Sequence, residues 1–148
     1  MSFKSTKSKA AVSLSLIFFI NIYSCCVFKT DTPDLRITGQ NFPASASVNQ
    51  TFNLSFTVAN ISDGECDAEK TNSSLVNLRM INRQSGHVQV NNTATLNQLE
   101  NNQAQTTPFS VNIGTAGTYD LTFIVDPNNT SGQANRNNDT LRGVVLIQ

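Results

Sequence analysis

Apolar side chains recur at every second position through most of the chain beyond residue 34. In TFNLSFTVAN, Phe52, Leu54, Phe56 and Val58 fall on one face, with Thr51, Asn53, Ser55 and Thr57 on the other. A period of two marks a β-strand with one face buried and one in water. A slip of one residue would expose all four apolar groups, so the register is strongly specified. Their burial stabilises by roughly 6–12 kcal/mol before conformational entropy is counted. TYDLTFIVD repeats the rhythm through Tyr119, Leu121, Phe123 and Val125, PFSVNIG through Phe109, Val111 and Ile113, and SLVNLRMIN through Val76, Leu78 and Met80. DLRITG predicts a short first strand through Leu35 and Ile37, and TLRGVVLIQ a buried closing one. HVQVNN and TATLNQL predict two further edge pieces around Val88, Val90, Ala94 and Leu96. Turn residues cluster at 82–86, 114–117 and 126–139, and no helical periodicity competes. About seven strands, each with one wet face, predict an all-β fold of two antiparallel sheets packed as a sandwich.

The first residues break this pattern. MSFKSTKSKAAVSLSLIFFINIYSCC places three lysines before an apolar run over residues 10–22 and then two cysteines. A basic start followed by a short apolar stretch has the layout of a secretory signal; the competing reading is a retained membrane helix over residues 10–28. Ile22, Tyr23, Ser24 and Cys25 resemble a lipobox, in which cleavage precedes a lipidated cysteine, although Tyr23 is bulkier than usual. On that reading residues 1–24 are removed, Cys25 carries the acyl chains (palmitate among them), residues 25–33 form a short linker, and residues 34–148 are the domain. Each buried methylene contributes about 0.8 kcal/mol, so several chains make a lasting anchor. Ordinary cleavage after Cys26 would instead release a secreted protein. Cys26 and Cys66 could close a disulfide loop of about 40 residues outside the cytoplasm, worth roughly 3–4 kcal/mol, or remain two unpaired thiols.

Composition sharpens the picture. The chain's 148 residues suit one domain, charged residues make up 14%, tryptophan is absent, and Asn, Ser and Thr abound, which favours strands and turns over helices. The formal charge of zero includes Lys4, Lys7 and Lys9; without them seven Lys and Arg face ten Asp and Glu, a net charge of −3. No basic patch survives to meet nucleic acid. His87 is the single histidine, so no Cys–His pair or metal-ligand spacing supports an enzyme. Sequons such as Asn60-Ile-Ser62 and Asn128-Asn-Thr130 follow from the composition and are assigned no glycan.

AGTYDLTFIVDPNNTSGQANRNNDT, over residues 116–140, resembles the end of CARDB domains, the bacterial cell-adhesion-related immunoglobulin-like module, whose members read close to AGTYxVxVxVDPxNxVxExNExNNT. LENNQAQTTPFSV is similar to the family's L-x-x-G turn, and FTVANISDGECDA to its V-x-N-x-G segment. Asn102 stands where the family has its turn glycine, and Gln133 and Arg136 where it has glutamates. The stretch between Gly64 and Ser74 is several residues longer than usual. The resemblance implies an immunoglobulin-like sandwich that binds or adheres without catalysis. It also implies that the Tyr119 hydroxyl bonds backbone at a strand corner.

The asparagine-rich stretch 126–139 admits two roles. As a turn, its amides and carboxylates supply bonds the ladder cannot. As a calcium loop, DPNNTSG would bring Asp126 and Asn128 together with Asp63 and Glu65, but Pro127 and the lack of a twelfth-position glutamate depart from that pattern. The turn is expected, with no cofactor, and calcium is the alternative. The expected product is an exported, lipid-anchored envelope module that meets a protein or glycan through the loop at residues 63–71 or a sheet edge. An accessory role in an envelope complex is the other possibility.

Overall fold

The alternation resolves into eight strands in the computed structural model, which describes residues 32–62, 70–133 and 135–148. They are β1 (Leu35–Asn41), β2 (Ser45–Ala46), β3 (Thr51–Asn60), β4 (Ser74–Asn82), β5 (Val88–Leu96), β6 (Ala104–Asn112), β7 (Gly117–Val125) and β8 (Thr140–Ile147). Three strands form one sheet in the order β1-β3-β6, and five form the other in the order β2-β8-β7-β4-β5. All pairings are antiparallel except the short β2–β8 contact. This is the all-β, two-sheet sandwich that the alternation predicts, of the immunoglobulin-like kind that the CARDB resemblance implies.

The register places the predicted apolar residues inside. Leu54, Phe56 and Val58 of β3 face Val76, Leu78 and Met80 of β4 and Leu121, Phe123 and Val125 of β7, all at most 1% exposed. Phe56 and Phe123 stack across the two sheets with centroids 4.0 Å apart and planes 16° apart, and Phe109 meets each ring edge-on at 6.4 and 6.1 Å. Such ring pairs add about 0.5–1.5 kcal/mol beyond the area they bury.

Three details differ from the expectation. Residues 88–96 form one strand rather than two pieces, because β4 supports them with a pairing that continues from Ser74↔Leu96 to Met80↔Val90. β6 begins at Ala104, four residues before the apolar run suggests, and Pro108 sits inside it. Pro108 is tolerated there because β6 pairs only with β3 and lies at the sheet edge, where a missing donor leaves no ladder bond unmade. β2 is a two-residue crossing from one sheet to the other, too short to give a periodic signal. On the way Phe42 lies over β8: a Cβ at Gly143 would stand 2.5 Å from its ring. Among the described residues no helix is long and apolar enough to cross a membrane.

Candidate functional site

The 126–139 loop joins β7 to β8 and is built around two aspartates. Asp126 has a left-handed backbone (φ 42), as does Asn129 (φ 54), a conformation that Asn and Asp reach at lower cost than other non-glycine residues. Its Oδ1 accepts the Thr130 amide and hydroxyl, both at 2.8 Å, and its Oδ2 accepts the Ser131 amide at 2.8 Å and the Ser131 hydroxyl. Burial pushes the Asp126 carboxyl up, but the donors of Ser131 and Thr130 outweigh it and hold the pKa below the ordinary value. The carboxylate does the work of a missing strand partner.

The second half of the loop fastens the start of β1. Gln133 accepts the Leu35 amide at 2.9 Å through Oε1 and donates through Nε2 to Asp139 Oδ2 at 2.7 Å. Arg136 donates to Asp139 Oδ2 at 3.3 Å and to the Asp126 carbonyl at 2.9 Å. Asn138 donates to the Asp34 carboxylate at 3.1 Å. Asp139 is 2% exposed, and its Oδ1 has no partner among the described residues. Burial dominates and raises its pKa to about 6; Arg136 opposes the shift, while Asp34 and Asp126 add to it.

The positions singled out by sequence divide as follows. Asp126 is buried with its oxygens engaged inside the loop, and Asn128 is exposed at the tip. Asp63, Glu65, Cys25, Cys26 and Cys66 lie outside the described residues. Among the described residues no three His, Cys, Asp or Glu side chains come together as a metal site. Tyr119 is fully buried and its hydroxyl donates to the Thr115 carbonyl at 2.9 Å, the expected strand-corner bond. Asn102 takes the left-handed conformation (φ 60) expected where the family has glycine. Its amide donates to the Asn60 carbonyl, and buried Asn60 in turn accepts the Asp34 amide and donates to the Leu99 carbonyl. Sequence reasoning missed the roles of Gln133, which reaches Leu35 across the fold, and of Arg136, which ties Asp139 to the Asp126 carbonyl within the loop. A groove of about 280 Å³ opens beside the loop between Leu75, Thr95, Pro127 and Thr130.

The CARDB family's model matches residues 32–142, three-quarters of the chain. The chain belongs to the CARDB family. A solved CARDB domain from Pyrococcus furiosus, in complex with di-metal ions, superposes with a TM-score of 0.62 at 21% identity, covering 82% of this chain and 93% of that one. A domain of a protein assigned to the cell surface of Methanosarcina acetivorans gives a TM-score of 0.58 at 28% identity, covering 79% and 93%. A Listeria innocua β-glucosidase in complex with glucose shares the sandwich at 11% identity and a TM-score of 0.52; it covers 79% of this chain but only 16% of the enzyme, so the likeness is one of fold. No curated protein matches the chain.

Proposed function

We propose that this CARDB chain is a non-catalytic binding or adhesion module of the cell envelope, held outside the cytoplasm by lipid on Cys25. The observation that carries the reading is the CARDB match across residues 32–142. The likeness to a domain from a cell-surface-assigned protein supports an extracytoplasmic setting. The lysine-rich start, the apolar run and the Ile22-Tyr23-Ser24-Cys25 sequence support export and acylation. A lone, exposed His87 leaves little chemistry for catalysis. Expression of the full chain with labelled palmitate tests the anchor: label in the membrane fraction, lost in Cys25→Ala and kept in Cys26→Ala, is the expected outcome. An unlabelled, soluble product beginning after Cys26 would overturn it.

A calcium-dependent version of the module is the second reading; the di-metal complex of the Pyrococcus furiosus relative supports metal binding as such, and calcium is the sequence's own suggestion. In this chain Asp126 already spends both oxygens on Thr130 and Ser131, so ion binding would require those bonds to be shared or broken, with Asp63 and Glu65 as further ligands. A melting temperature unmoved by calcium or by chelator sinks that version.

A further inference from the structure

The two outer faces of the sandwich differ in kind. On the three-stranded sheet, the Thr57 and Thr106 hydroxyls lie 2.9 Å apart, Ser110 donates to Asn53 Oδ1 at 2.8 Å, and Asn112 donates to the backbone carbonyl of Asn49 at 3.1 Å; the five-stranded sheet also has a polar pair, Asn77 donating to Asn91 Oδ1 at 3.0 Å. The five-stranded sheet carries all four large hydrophobic residues exposed among the described ones, namely Leu75, Val88, Val144 and Leu146, each 42–45% exposed. Pairing registers align Val144, Asp120, Ile81 and Val88 in one row, and Arg142, Thr122 and Arg79 in the next. Arg79 and Arg142 therefore stand two strand spacings apart, about 10 Å. Both are exposed, and neither forms an ion pair or hydrogen bond among the described residues. Asp120 does not offset them: it is held by Arg83 through contacts of 3.1 and 3.2 Å, which lower its pKa and raise that of Arg83.

We infer that the outer face of the five-stranded sheet docks an acidic segment of a partner protein, with carboxylates on Arg79 and Arg142 and apolar side chains over Val144 and Leu146 at one end and Leu75 at the other. Guanidinium groups pair with carboxylates in two-pronged geometry, which gives direction as well as attraction. Charge argues against a second copy of the chain, since a two-fold face-to-face dimer centred on Thr122 would bring four arginines together. Size agrees: four strands by seven residues make a face of roughly 20 by 23 Å. That falls short of the ~800 Å² per partner typical of a stable dimer but suits a peptide segment. Glycan recognition usually calls for an exposed Phe, Tyr or Trp ring, and every described Phe and Tyr is buried or half-buried. A bilayer is disfavoured because Asn77, Asp120 and Thr122 interrupt the aliphatic residues, and Leu75 lies about 20 Å along β4 from Ile81. The inference rests on the binding-module reading and names its partner; it does not depend on the lipid.

The test is a titration of the isotope-labelled full chain, followed by amide NMR, with the peptide Leu-Thr-Glu-Thr-Glu-Thr-Leu, whose extended form shows Leu, Glu, Glu and Leu on one face. The expected result is that signals of residues 77–79, 120–124 and 142–146 shift. Affinity should fall at least tenfold when glutamine replaces both glutamates of the peptide, or when the protein carries Arg79→Glu with Arg142→Glu. Arg36→Glu, on the other sheet, should leave it unchanged. Equal binding of the glutamine peptide, shifts confined to β1, β3 and β6, or no shift at millimolar peptide would each overturn the inference. So would the same face responding to phosphatidylglycerol vesicles but not to peptide, or to protein concentration alone. Absence of acyl chains in the mass spectrum would refute the anchor and leave this face standing, so the two failures are distinguishable.

Discussion

At the scale of single residues, two loop aspartates with opposite electrostatics hold the end of the sandwich. Asp126 accepts four hydrogen bonds within five residues, so Asp126→Ala should cost about 3 kcal/mol in chemical denaturation, with the loss of a charged acceptor adding to freed donors. Tyr119→Phe removes one hydroxyl bond to the Thr115 carbonyl and should cost about 1 kcal/mol by the same measurement. Asp139 points the other way. Its folded pKa, near 6, lies above its ordinary value, so the folded chain binds the extra proton and this residue's contribution to stability is fully present below about pH 4. It is lost as pH rises through 6. Asp139→Asn should therefore flatten the stability–pH curve between pH 4 and 6; an unchanged slope would contradict the buried-carboxylate reading. Asp126 does the reverse: its contribution is full above its ordinary value and is lost as pH falls from there through its lower folded value. These roles were only half legible. The motif DPNNTSG admits a calcium loop beside the expected self-capped turn, because both need an aspartate followed by hydroxyls and amides; Pro127 and the missing twelfth-position glutamate favour the turn. The Gln133 contact to Leu35 spans 98 residues and leaves no local trace.

At the scale of elements, strict alternation was the readable part. β3, β4 and β7 emerge where the period of two is uninterrupted and both inner faces are apolar. The polar centre of β5, Asn91 to Thr93, hid its continuity, which comes from pairing with β4 rather than from its own side chains. Close packing explains two glycines that periodicity treats as ordinary. Gly117 has φ +152, and a Cβ there would lie 2.8 Å from Asn82 Nδ2; Gly143 lies under the Phe42 ring. Gly143→Ala should destabilise by about 2 kcal/mol through overpacking, and pairing it with Phe42→Leu should recover part of that loss. Strict additivity in that cycle would show that the ring is not the obstacle. Phe56→Ala, removing the stacked ring between sheets, should cost about 3–5 kcal/mol.

At the scale of the whole molecule, the fold and the family come from one source, the inward-facing apolar ladder with its turn residues, whereas the partner does not. Recognition depends on which side chains stay unsatisfied outside, and alternation marks all outward positions alike. Only the strand register shows that Arg79 and Arg142 flank Thr122 and that the exposed aliphatics share their sheet. The tether belongs to the same scale, since acyl chains would confine that face to the volume near a membrane and raise its encounter rate with envelope partners. The intact mass of the native protein, extracted in mild detergent, tests this account most directly. It should fit a chain beginning at Cys25 and bearing acyl groups. A mass equal to the full 148 residues, or to a shorter chain with no lipid, would contradict it.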